Sequence, residues 1–104
     1  MSTILKRSDE VIERIRGLEP QLHARGVKRL ALFGSFARDT ARADSDVDLL
    51  VEFFAGQKSF DNFMAVGDLL EASLERRVEL VTPESLSPHI GPHILREAED
   101  VFSG

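Results

Sequence analysis

Apolar positions along this chain change their period several times, and each change marks a new element. Val11, Ile15, Leu18 and Leu22 recur at helical spacing, with Ser8 placed to cap the run. Pro20 lies inside the run and predicts a kink or a split, and Gly26 is a stop signal. Residues 27–33 (VKRLALF) then read as a buried strand, followed by a turn at Gly34-Ser35 and one or two helical turns over residues 36–41. Residues 46–54 (DVDLLVEFF) carry the strongest strand signal, rich in Val, Leu and Phe. A loop at residues 55–58 leads to Ser59, which can cap a helix with Phe60, Phe63, Val66, Leu70 and Leu74 on its apolar face. Residues 77–81 (RVELV) read as a third strand, ended by Thr82-Pro83, and Ile94, Leu95, Ala98, Val101 and Phe102 predict a final helix. The expected order is helix, strand, short helix, strand, helix, strand, helix, an α/β sandwich by layer logic.

Composition narrows this picture. A chain of 104 residues fits one domain, residues 1–104, with a modest core and no large private substrate cavity. The absence of cysteine excludes disulfide scaffolds and Cys-based zinc sites. A net charge of −5 without a Lys/Arg run argues against a protein held on nucleic acid by charge, so no direct nucleic-acid binding is expected. A nucleotide held through a metal stays compatible with that charge. No stretch has the length and apolarity of a membrane span, and the start, Met1 to Arg7, lacks a signal-peptide apolar core. The expected location is cytoplasmic.

Candidate chemistry centres on Asp46 and Asp48. Residues two apart on a strand share a face, so both carboxylates leave one side while Val47, Leu49 and Val51 leave the other for the core. Two like charges side by side repel, and a divalent cation resolves the conflict. Mg²⁺ suits one or two carboxylates completed by substrate phosphates. In a chain with 8 Asp, a D-x-D pair arises by chance roughly 0.6 times, so it gains meaning from its surroundings. Gly34-Ser35 supplies them: glycine lets a phosphate approach the backbone, and the N–H groups of the next turn favour an anion. Ten residues separate Ser35 from Asp46. If the first two strands are antiparallel neighbours, Gly34-Ser35 and Asp46/Asp48 share one edge of the sheet. The helix between the second and third strands has the length of a right-handed crossover, which would bring Glu79 near Asp48. Glu79 within Arg76-Arg77-Val78-Glu79 can equally be paired on the surface. Ser45 is suited to bond the turn or a ligand, and His89 and His93 lack the further ligands of a zinc site.

Gly34-Ser35, ten residues, then Asp46-Val47-Asp48 resembles the signature of the DNA polymerase β nucleotidyltransferase superfamily. The stretch LFGSFARDTARADSDVDLLVEF and the later VELVTPESL resemble its minimal branch, the MNT-domain proteins, over the whole chain. The resemblance implies a mixed sheet in the order first, second, third strand. It implies Asp46, Asp48 and Glu79 as catalytic metal ligands, for two Mg²⁺ or Mn²⁺ ions, and ATP as substrate. It places Gly34 and Ser35 at the triphosphate. Arg38 fits the family pattern, either touching phosphate or pinning the short helix through an ion pair. It further implies a HEPN-domain toxin as partner, with AMP moved from ATP to a toxin tyrosine. Two positions depart from the branch: Glu79 stands where Asp is usual, and Asp39 where Gly is frequent. The alternative is a binding module that neutralises a toxin by contact, with the site decayed or unused.

Overall fold

The computed structural model describes residues 8–38, 40–42 and 45–103. The segment 1–7, Asp39 and the side chain of Ser8, all named from the sequence, lie outside the described residues. Helix α1 spans Ser8–Arg16 and α2 Glu19–Ala24. Strand β1 (Val27–Phe33) leads into a single helical turn, α3 (Gly34–Ala37), and then to β2 (Val47–Phe53). Helix α4 (Phe60–Leu74), strand β3 (Val78–Val81), a 3₁₀ turn at Pro83–Ser85, helix α5 (Gly91–Glu97) and strand β4 (Glu99–Ser103) complete the order.

Local signals explain most boundaries. Pro20 splits the first helical run as expected and sits in the first turn of α2, where a missing N–H leaves no bond unmade. Gly26 ends α2 with φ +84°, its N–H donating to the His23 carbonyl at 2.9 Å. Ser59 caps α4, its Oγ accepting from the Asn62 N–H at 3.1 Å.

The sheet has the order β3-β2-β1-β4. β1 and β2 are antiparallel, with Leu32 opposite Leu49 and Phe33 opposite Asp48. β2 and β3 are parallel, with Asp48 opposite Glu79. The expected order of the first three strands is therefore present, and a fourth strand adds to it. The final helix predicted through Phe102 is corrected by this finding: α5 stops at Glu97, Ala98 turns extended, and residues 99–103 pair with β1. A short apolar run such as Val101-Phe102 suits either state by periodicity, and the open edge of β1 decides for strand by taking its backbone bonds. Arg29 ties the ladder from the side, donating to Glu52 of β2 at 2.8 Å and to Asp100 of β4 at 2.7 and 2.9 Å. α3 also starts earlier than expected, at Gly34 rather than Phe36.

The two faces of the sheet are both covered. On one, Leu30, Leu32, Val47, Leu49 and Val51 pack with Val11 and Ile15 of α1, Leu22 of α2 and Val66, Leu70 and Leu74 of α4. On the other, Ala31, Phe33 and Leu50 form a small second cluster with Leu86, Ile94 and Ala98. Asp48 and Leu50 thus share a face, and the carboxylate stands at the rim of an apolar patch rather than on an open one.

Candidate active site

Strand directions assemble the site. β1 runs against β2 and β3 runs with it, so the end of β1 and the starts of β2 and β3 meet at one edge. Phe33, Asp48 and Glu79 form one row across three strands, and Gly34-Ser35 continues directly from it.

Gly34 has φ +77°, and a Cβ built there would lie 2.1 Å from Asp48 Oδ2 and 2.9 Å from its Cγ. The Asp48 carboxylate therefore rests against the bare backbone of Gly34. No other residue fits on two counts, the left-handed conformation and the occupied space. Glycine was expected to admit a phosphate; in the structure it first makes room for a carboxylate.

The Asp48 carboxyl is pushed up to about 6 from its ordinary value. Burial is the largest cause, followed by the hydrogen bond with Glu79 and the negative charges of Glu79 and Asp46, while the positive charge of Arg38 opposes them. Asp46 and Glu79 are exposed, Asp48 is half-buried, and Asp46 stands just before the first paired residue of β2. Among the described residues, no group of three His, Asp or Glu side chains stands ready as a metal cage. What the edge offers is a carboxylate pair with a third carboxylate close enough to perturb it. This surplus negative charge and its all-oxygen donor set fit a hard divalent cation that substrate phosphates would complete.

The remaining named residues divide. Ser35 sits within α3, its carbonyl accepting from the Thr40 N–H at 2.9 Å. Ser45 Oγ accepts from the Arg42 N–H at 2.7 Å, the turn bond expected as one of its two options. Arg38, exposed at the end of α3, pairs with Glu97 at the end of α5, while its charge still reaches Asp48. His89 lies in the turn before α5 and His93 within that helix, both exposed. Pro92 occupies the first turn of α5 instead of breaking it. Two residues were missed from the sequence: Glu97, partner of Arg38, and Arg76, which reaches the turn before Asp46. Neither has a local signature, since each acts on a segment distant in the chain.

The mixed sheet places Gly-Ser at the end of one strand, D-x-D at the start of its antiparallel neighbour and a third carboxylate on the next strand, the arrangement that the nucleotidyltransferase resemblance implies. The nucleotidyltransferase domain family matches residues 8–101, and the chain belongs to it. A Methanocaldococcus jannaschii protein with the name "putative protein adenylyltransferase" is 41% identical over 87 residues, covering 84% of this chain and 92% of that one. Protein adenylyltransferase MntA of Thermococcus cleftensis is 43% identical over 72 residues, 69% of this chain and 72% of its own. Among solved structures, a minimal nucleotidyltransferase superposes with TM-score 0.77 at 33% identity, over 89% of this chain and 94% of that one. The MNT antitoxin fold in a complex with a tri-AMPylated Shewanella oneidensis HEPN toxin superposes with TM-score 0.65 at 18% identity, over 93% of this chain and 73% of that one.

Proposed function

We propose that this nucleotidyltransferase moves AMP from ATP onto a hydroxyl of a partner protein, and that the partner is a HEPN-type toxin that it neutralises. The observation that carries the reading is the row Phe33, Asp48, Glu79 continued by Gly34, in which the Asp48 carboxylate, neighbour of Glu79, lies over bare backbone. The adenylyltransferase names of relatives above 40% identity support the AMP donor. The AMP-modified HEPN toxin held by a protein of the same fold supports the acceptor.

In this reading Asp46 and Asp48 would hold Mg²⁺ or Mn²⁺ on the triphosphate, and Glu79 with Asp48 would hold a second ion. Bound there, such ions neutralise phosphate charge and lower the pKa of an acceptor hydroxyl. The chain's own groups do the rest. Asp48, whose pKa is raised by burial first and then by Glu79 and Asp46, would be held in its ionised form by a bound cation. Gly34 keeps the backbone open beside it, and Ser35 offers its hydroxyl to the triphosphate. Glu79, exposed on the edge strand, helps to activate the acceptor hydroxyl and takes up its proton. Pyrophosphate leaves as the acceptor oxygen bonds to the α-phosphorus.

The test is Glu79→Gln, co-expressed with the partner, with the partner then weighed by mass spectrometry. The expected result is Mg-ATP affinity within a few-fold of wild type and transfer reduced by roughly 10²–10⁴. Full protection of cells with no added nucleotide mass, in wild type as well as variant, would replace the enzymatic reading with neutralisation by contact.

A further inference from the structure

Arg76 lies in the turn between α4 and β3. α4 closes with Glu75 in the left-handed region, φ 54° and ψ 38°, which bends the chain back toward the carboxylate edge. The Arg76 guanidinium then meets two other segments at once. Its Nη1 donates to the Arg42 carbonyl at 3.2 Å and to the Ser45 carbonyl at 3.0 Å. The guanidinium carbon also sits over the Phe36 ring, 5.0 Å from the ring centroid.

These contacts bracket the site. Arg42 and Ser45 already close a turn on each other: the Ser45 N–H donates to the Arg42 carbonyl at 3.0 Å, and the Arg42 N–H to Ser45 Oγ. Asp46 follows directly. The next residue, Val47, donates its N–H to the carbonyl of Arg77 at 2.9 Å, beside Arg76 in sequence. The turn that delivers Asp46 is therefore held from adjacent positions at the start of β3, by a side chain and by a backbone carbonyl. Phe36 is fully buried and belongs to α3, one residue beyond Ser35. One side chain thus ties the Asp46 turn to the helix that carries Ser35.

We propose that Arg76 is a positioning residue of the transfer site, its guanidinium holding Arg42 and Ser45, and with them Asp46, against α3. The inference rests on the nucleotide-transfer reading for its kinetic consequence and on the geometry alone for its mechanical one. The guanidinium sits over the ring while its Nη1 bonds both carbonyls, and its delocalised, weakly hydrated plane suits a ring contact better than a strongly hydrated ammonium does.

The experiment compares Arg76→Ala and Arg76→Lys with wild type by amide hydrogen exchange, and by kcat and KM for transfer to the partner. In R76A the Ser45 and Val47 amides are expected to exchange about tenfold faster or more, while Leu30 and Leu32 of β1 stay unchanged. kcat is expected to fall about 10²-fold, as for a reacting group displaced by about 1 Å, with KM for ATP changed by less than about tenfold. R76K keeps the charge and the stem yet is expected to recover little of the lost rate. Full recovery in R76K would show that charge alone is needed and would overturn the proposal. Unchanged exchange at Ser45 and Val47 in R76A would overturn it too. If R76A fails to fold, R76K carries the same exchange and rate comparisons. A wild type that transfers nothing would count against the function reading, and the exchange comparison would still decide the clamp.

Discussion

Two glycines flank β1, and the chain uses the same backbone device at each for different ends. Gly26, just before the strand, has φ +84°, and Gly34, just after it, φ +77°. A Cβ at Gly26 would lie 2.4 Å from Gln57 Cβ, and a Cβ at Gly34 would lie 2.1 Å from Asp48 Oδ2. At the first end the space is filled by the stem of a neutral, exposed residue, and the Phe54 N–H donates to the Gly26 carbonyl at 2.9 Å. That arrangement closes the pairing of β1 with β2 and does nothing more. At the second end the space is filled by a charged group whose pKa is raised by burial and by two further carboxylates. A left-handed glycine is therefore no sign of a site by itself; what occupies the room it leaves decides.

The comparison can be broken most directly by alanine at each glycine. Gly34→Ala is expected to cut transfer about 10²-fold or more, because Asp48 has to move by an ångström or so. Gly26→Ala is expected to lose about 1–3 kcal/mol of stability from strain and overpacking, while transfer per folded molecule stays within about twofold. Denaturant melts together with rates scaled to the folded fraction would separate the two, and an equally inactive G26A would erase the distinction.

A second, smaller effect asks which atom is in the way. Adding Asp48→Ala to Gly34→Ala removes the carboxylate and is expected to return about 1–2 kcal/mol of stability. Adding Gln57→Ala to Gly26→Ala keeps the clashing Cβ and should return almost nothing. Double-mutant cycles measured in denaturant would show equal coupling at both ends if this account were wrong.

Charge at the second end gives a pH signature of similar size. Asp48 has a higher pKa folded than unfolded, so metal-free folding is favoured as pH falls from about 6 toward 4 and is disfavoured above about 6. Asp48→Asn removes that cost, and the metal-free variant is expected to exceed wild type by roughly 1–2 kcal/mol near pH 7.5, with the advantage shrinking toward about pH 4. Thermal melts in chelator across this range provide the check; a variant less stable than wild type near neutrality would assign Asp48 a structural role.

The smallest effect concerns Glu75, which is left-handed without being a glycine. Conformation alone favours glycine there, so Glu75→Gly is expected to gain about 0.5–1 kcal/mol. A loss instead would mean that the Glu75 side chain holds the α4–β3 turn.

Much of this architecture was legible locally. The bounds of β1 came from the stretch VKRLALF between Gly26 and Gly34, the division between α1 and α2 from Pro20, and the start of α4 from Ser59. The closeness of Glu79 to Asp48 followed from strand alternation and the length of the α4 crossover. β4 was not legible, because Val101 and Phe102 take strand form only by pairing with an edge formed some seventy residues earlier. Nor was the second apolar cluster, since Leu50 shares its face with Asp48 and Glu52 and reads as a lone apolar residue there until α5 and the 3₁₀ turn cover that face.

The order of elements from α1 to β3 and the shared face of Asp48 and Leu50 were determined by the sequence alone, because 3.6- and 2-residue periods are built into the covalent backbone. Which atoms fill the space over Gly34, whether Arg38 meets Glu97, and where the Arg76 fork lands were decided by tertiary structure alone. Each depends on segments that are far apart in the chain and meet at one sheet edge only after the strands have paired. A side chain's partner there is set by strand direction and register, and no local pattern encodes either.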